Sequence, residues 1–194
     1  MTQKYIIGID EVGRGPLAGP VAIGAVLTTP DVLVRFKDIK ESKQLSEKKR
    51  EFWNEKIRSE EGVLLKSVVT YVSANEIDEL GIAVAIRRAL YEALNMLDVS
   101  PDDCRVLLDG GLHAGEAYAH QETIIGGDAK ETIIAMASVV AKVSRDRLMV
   151  SLDAHYPAYG FAKHKGYGTK AHIDAIRTNG LSKEHRRSFC KNIL

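Results

Sequence analysis

The sequence predicts an α/β domain, and three observations carry that prediction. Five short apolar segments rich in Val, Ile and Leu read as strands, at residues 5–9, 21–28, 63–72, 105–108 and 123–125. Between and after them, residues 46–59, 82–97 and 131–155 repeat apolar side chains at helical spacing. A length of 194 residues, 45% of them hydrophobic, suits one domain with a sizeable core.

The first strand ends, on this reading, at two carboxylates, Asp10 and Glu11. Adjacent acids at the tip of a core strand repel each other and lose hydration, and a hard divalent cation between them relieves both costs. Gly13, Gly15 and Gly19, with Pro16 and Pro20, then make a tight loop in which only Arg14 has a long side chain. Glycines leave no Cβ in the way of a ligand approaching the backbone. The spacing GxGxxxG is one residue too long for a dinucleotide fingerprint, and no Gly-Lys-Ser/Thr follows as in a Walker loop. On these residues alone, a solvated Asp-Glu turn remains open.

The second strand lies close enough to pair antiparallel with the first, and Thr29-Pro30 ends it. Glu41 to Leu45 leads into the helix at 46–59, whose apolar positions are Phe52, Trp53 and Ile57. After the third strand, Ser73 and Glu76 have the spacing of a capping box, and Gly81 stops the short helix they open. Glu76 and Asp78 read as cap and surface residues. The helix at 82–97 carries the stripe Ile82, Ile86, Leu90, Leu94 and Leu97. The fourth strand ends at Asp109-Gly110-Gly111, repeating the order strand, carboxylate, glycine. The fifth is followed by Gly126-Gly127-Asp128, a third acid beside glycine.

The long helix at 131–155 has the stripe Ile134, Ala137, Val140, Ala141, Ser144, Leu148 and Leu152. Asp146 reads as an ion-pair partner within that helix or against the sheet, and Lys142, Arg145 and Arg147 add positive charge. Tyr156-Pro157 ends the helix. Residues 160–170, GFAKHKGYGTK, interleave basic residues with Tyr167 and glycines, a mix suited to a nucleic-acid contact loop. A last helix, 171–178, is closed by Gly180. His164, His172 and His185 have no zinc-ligand spacing and read as surface or phosphate-facing residues.

The formal net charge is only +1, but it is unevenly spread. From Lys142 onward there are eleven Lys/Arg and four Asp/Glu, leaving −6 on residues 1–141. An acidic part beside a basic one suits a metal site facing a polyanion, although solvated helix faces give the same count. Cys104 and Cys190 are isolated thiols that suit packing and a reducing cytoplasm. No signal peptide and no membrane-length apolar run is read, so a cytoplasmic location and no membrane partner are expected.

Asp10-Glu11-Val12-Gly13-Arg14-Gly15, followed by Pro16-Leu17-Ala18-Gly19-Pro20, resembles the opening motif of type 2 ribonuclease H, ribonuclease HII, of the prokaryotic type. Arg14 between two glycines separates that family from its type 3 relative, which carries lysine there. Lys163-His164-Lys165-Gly166-Tyr167 is similar to a second family segment, and His185-Arg186-Arg187-Ser188-Phe189 to a third, without an assigned chemistry. Two positions depart from the pattern: Glu41 where the family usually has Asp before Ser-Lys, and Gly111 after Asp109-Gly110.

The resemblance covers nearly the whole chain and implies a ribonuclease H-like fold, a central mixed sheet of about five strands flanked by helices. Residues 1–194 would form one catalytic domain with a short basic C-terminal helical segment, without the longer extension of some relatives. It implies an endoribonuclease that hydrolyses the RNA strand of RNA–DNA hybrids. It also implies cleavage 5′ to single ribonucleotides in duplex DNA, in replication and repair, leaving 3′-hydroxyl and 5′-phosphate ends. Two Mg²⁺ or Mn²⁺ ions, about 4 Å apart, would be held by Asp10, Glu11, Asp109 and Asp128, with Asp146 as runner-up for the fourth place. Because successive strand residues face opposite ways, Glu11 would bind by its side chain only if the strand bends, or otherwise through its carbonyl. Gly13, Arg14, Gly15, Ser42, Lys43, Lys142, Lys163, Lys165 and Tyr167 would contact substrate, with Tyr167 sensing the ribose–deoxyribose junction. A monomer is expected. Two other classes stay open on the residues themselves: a non-catalytic nucleic-acid binding module, and a Mg²⁺-dependent phosphohydrolase of small nucleotides.

Overall fold

The computed structural model describes residues 3–193. In chain order it runs β1 (Tyr5–Val12), β2 (Val21–Thr28), α1 (Pro30–Leu33), α2 (Glu47–Ser59), β3 (Leu65–Val72), α3 (Ala74–Leu80) and α4 (Ile82–Leu97). It continues through β4 (Cys104–Asp109), β5 (Gln121–Ile124), α5 (Thr132–His155), α6 (Phe161–His164) and α7 (Lys170–Asn179). The strands form one mixed sheet in the order β3-β2-β1-β4-β5. β1–β2 and β2–β3 are antiparallel, whereas β1–β4 and β4–β5 are parallel.

Local chemistry accounts for most boundaries. Ser46 caps α2 by accepting the Lys49 amide, and Ser73 and Glu76 close the capping box expected at α3. Gly81 ends α3 at φ 79, a conformation that suits glycine. The α4 stripe is buried at Ile86, Leu90, Leu94 and Leu97 against the inward residues of β1 and β2. Phe52 departs from its expected role: it is exposed on α2, and Trp53 and Ile57 make the inward contacts.

The opposite face of the sheet is covered by α5, with α2 packed beside it. Residues 133–141 of α5 are buried on every side. Two glycines permit that depth. A Cβ on Gly8 would lie 2.3 Å from the Ile133 carbonyl oxygen, and one on Gly24 would lie 2.4 Å from that of Ala137. Helix backbone therefore rests directly on strand backbone where β1 and β2 pair. Among the described residues, no helix is long and apolar enough to cross a membrane. Cys104 and Cys190 are buried free thiols.

Candidate active site

Asp10 and Glu11 lie inside β1, not beyond it, because the strand continues to Val12. Asp10 shares the parity of Gly8 and so faces α5, pairing in register with Gly24. It is 6% exposed. Its carboxylate accepts the Glu11 amide at 2.7 Å, and the hydroxyl of Ser138 on α5, itself hydrogen-bonded to Ser42, stands near enough to act on its charge. Burial, and then the charges of Asp109 and Asp128, push its pKa up to about 7, against the lowering by the Ser138 hydroxyl and the Glu11 amide. Glu11 is held by Arg14 at 3.0 Å.

Asp109 closes β4, next to β1 in the sheet, and Asp128 follows β5 in a short 3-10 turn. The Gly127 amide donates to Asp109 Oδ1 at 2.6 Å, tying the two acidic turns together. Asp128 is also raised, by burial first and by Asp109 next, against the lowering effect of Lys43. Three carboxylates from three neighbouring strand ends thus sense one another's charge.

Beside them the glycine loop and the Tyr167 loop are clamped together. Arg145, fully buried on α5, donates to the carbonyls of Pro20 (2.9 Å), Lys165 (3.0 Å) and Ala18 (3.3 Å). Arg186, also fully buried, donates to Gly13 (2.6 Å), Arg14 (2.9 Å) and Gly19 (2.9 Å). The Leu17 amide reaches the Gly166 carbonyl at 2.8 Å, and a Cβ on Gly166 would strike the Ala18 oxygen at 2.2 Å. Lys165 and Gly166 both take left-handed φ there, 52 and 85.

A histidine relay supports the second loop. Ser182 donates its amide to His185 Nδ1, so the His185 proton sits on Nε2, facing His172 Nε2 at 3.1 Å. His172 then presents Nδ1–H to the Tyr167 carbonyl at 3.0 Å.

A cleft of about 370 Å³ collects Asp10, Glu11, Gly13, Arg14, Gly15, Ser42, Lys43, Asp109, Lys142 and Tyr167. Comparison of the chain with protein families gives a match over residues 7–192 to the model described as "Ribonuclease HII". The chain belongs to the ribonuclease HII family. A ribonuclease HII of Endomicrobium trichonymphae is 45% identical over 184 residues, covering 95% of this chain and 84% of that one. The crystal structure of the ribonuclease H2 from Pyrococcus horikoshii OT3 superposes with a TM-score of 0.79 at 27% identity, covering 97% of this chain and 96% of that one. A more distant structure, Bst-RNase HIII in complex with Mn²⁺, shares the fold alone: TM-score 0.66 and 16% identity, covering 95% of this chain and 64% of that one. As a ribonuclease HII, the protein is an endoribonuclease, a hydrolase that cleaves the RNA strand of RNA–DNA hybrids.

Of the family residues expected at the site, Asp128 lines a separate pocket with Lys37, Lys40 and Lys130 rather than the cleft that holds Asp10 and Asp109. Lys163 and Lys165 do not line the acidic cleft. Lys165 turns its ammonium to the Ala162 carbonyl and lines a separate cleft beside Asp146 and Arg147. Asp146 is ion-paired to Lys142 at 2.9 Å, one helical turn away, as its sequence position suggested. Ser42 is buried, sharing a 2.7 Å hydrogen bond with Ser138.

Two readings are corrected. His172 and His185 are buried, not surface residues, because each ring nitrogen finds a fixed partner. Arg145 does not add to a charged helix face, since backbone carbonyls surround it. Asp78, a half-exposed surface residue as expected, also anchors the C-terminal segment by accepting the amides of Arg187 (2.7 Å) and Ser188 (3.0 Å). Sequence reasoning also missed Ser138. Its signal was a lone hydroxyl within the otherwise apolar stretch 133–141.

The donors fit a hard cation in kind: carboxylate oxygens around a buried Asp10 that no basic side chain neutralises. They do not yet enclose one. Among the described residues, no three His, Cys, Asp or Glu side chains stand close enough to hold a metal ion.

Proposed function

We propose that residues 1–194 act as one catalytic unit that, besides cutting hybrids, cleaves duplex DNA 5′ to a single ribonucleotide. The observation that carries the catalytic part is Asp10: buried, raised to about 7, and facing the charges of Asp109 and Asp128 with no basic side chain among the described residues to offset them. Asp10, Asp109 and Asp128 would hold divalent metal, with Glu11 completing the set by side chain or carbonyl. A bound pair of Mg²⁺ or Mn²⁺ ions would activate water and stabilise the leaving 3′ oxygen. Binding would draw Asp109 and Asp128 towards Asp10, whose proton is given up in the process.

The residues themselves do the recognition. Lys43 and Lys142 rim the cleft and would position phosphates without reading sequence. Tyr167, 43% exposed, projects from a clamped loop and would pack on the deoxyribose that follows the ribonucleotide. An extra 2′-hydroxyl on that sugar would crowd the ring, which is the basis of junction preference.

The test compares a duplex carrying one ribonucleotide with an all-RNA strand paired to DNA. Wild-type protein should cut both, the first on the 5′ side of the ribonucleotide, and EDTA should stop both. Tyr167→Ala should lower cleavage of the single-ribonucleotide duplex more than that of the hybrid. Cleavage of the hybrid alone would make the protein a general hybrid nuclease. Equal slowing of both substrates would reduce Tyr167 to a structural residue.

A further inference from the structure

The segment 182–188 touches no reacting group, yet it holds both loops that border the cleft. Arg186 binds the carbonyls of Gly13 and Arg14, and its neighbour His185 reaches the Tyr167 carbonyl through His172. Asp78 of α3 fastens the following two residues.

The peptide bond is planar and trans, so the C=O and N–H of one unit point in opposite directions. The Gly13 carbonyl belongs to the same unit as the Arg14 amide, and the Arg14 carbonyl to the same unit as the Gly15 amide. Arg186 draws both carbonyls inward. Both amides are thereby turned the other way, on the loop that lines the cleft. Neither amide has a hydrogen-bond partner among the described residues. Nothing stands within 4 Å of where a Gly15 Cβ would be, so the approach is open.

We infer that Arg186 is a positioning residue for ribose recognition, aiming the paired amide donors of Arg14 and Gly15 at an oxygen of the ribonucleotide. The role rests on the reading of the cleft given above. A lysine in its place keeps one positive charge but cannot reach three carbonyls in a fixed fork, so the two peptide planes are released. His185 extends the same control to Tyr167, so one segment sets the spacing between the two sugar-contacting loops.

The experiment measures binding, with Ca²⁺ present to prevent turnover, of two duplexes of one sequence: one with a single ribonucleotide, one all DNA. Wild-type protein should prefer the first. Arg186→Lys should lose about tenfold of that preference, the size of two misaligned hydrogen bonds, while all-DNA binding stays within about twofold. A general loss of structure would lower both affinities together. Should Arg186→Lys not melt cooperatively, Asp78→Asn loosens the same segment from its other end, and a smaller loss of the same preference is expected. A folded variant of either kind with full wild-type preference overturns the inference alone. A wild-type protein with no preference overturns the reading of the cleft, and the inference with it.

Discussion

Two regions of the molecule bury charge, and they treat it in opposite ways. In the clamp, Arg145 and Arg186 have no carboxylate partner among the described residues, but six backbone carbonyls take their donors. At the acidic pole, Asp10 receives one amide, has the Ser138 hydroxyl nearby, and then faces further acids. Burial dominates both shifts: it lowers Arg186 to about 9 and raises Asp10 to about 7. The difference lies in what replaces water. Carbonyl dipoles fixed by the fold make the arginines part of the architecture, whereas Asp10 is left short of positive charge and so remains available to an ion.

The largest expected effect breaks the acidic side of that contrast. Asp10→Asn should lower metal-dependent cleavage of a hybrid by about a thousandfold, the scale of several kcal/mol of lost charge stabilisation. Asp109→Asn and Asp128→Asn should fall in the same direction, while Asp146→Asn, which only frees Lys142, should keep most activity. An inactive Asp146→Asn beside an active Asp128→Asn would reverse the assignment of the fourth acid. The same Asp10→Asn change should stabilise the metal-free protein. The folded pKa of Asp10 lies above its ordinary 3.8, so the folded state holds an extra proton, and stability declines as pH rises from about 4 to about 7. Thermal melts in EDTA at pH 8 should show a gain on the order of 2 kcal/mol for the variant.

Breaking the clamp should do the reverse. Arg186→Met leaves the carbonyls of Gly13, Arg14 and Gly19 unpaired, and denaturant unfolding should report a loss of about 3 kcal/mol. A loss below 0.5 kcal/mol would mean that water replaces the guanidinium easily.

The pH response sharpens the comparison further. Burial, and then His172, depress His185 to about 4 from 6.5. The unfolded chain therefore binds its proton first, and the clamp loses stability as pH falls from 6.5 towards 4. That slope is opposite in sign to the one from Asp10. His185→Gln should flatten the acid limb by on the order of 1 kcal/mol, and Asp10→Asn should flatten the neutral limb. The smallest effects belong to the rim. Lys43→Ala and Lys142→Ala should each reduce the salt dependence of duplex binding by about one unit of log–log slope, and Lys165→Ala should change it less.

Much of this contrast was visible along the chain, but only one half of it. The strands and helices follow from period-2 and period-3.6 patterns, from Ser73–Glu76 and from Gly81, which are local. The acids were legible because a carboxylate beside glycine recurs after apolar runs. The end of β1 was misplaced because Asp10 and Glu11 are polar, although cross-strand pairing to Gly24 and Ile23 carries the strand past them. The clamp left a family-like segment at 185–189 but no pattern that names its partners. The partners of Arg186 are carbonyls more than 160 residues away, and a carbonyl is present at every position, so no residue type marks the recipient. His172 and His185 likewise became interpretable only once their ring nitrogens had named partners.

The glycine notch formed by Gly8 and Gly24 makes the active site sensitive to the spacing between two layers. Asp10 belongs to the sheet, while Ser138, whose hydroxyl lowers its pKa, belongs to the helix pressed into that notch. One methyl group at Gly8 would act as a wedge, lifting the helix and its hydroxyl away from the acid. Loss of function could therefore arise from a change as slight as glycine to alanine, with every carboxylate still in place. The same two positions give a lever on the acid from behind, since any side chain there must push the helix backbone off the sheet.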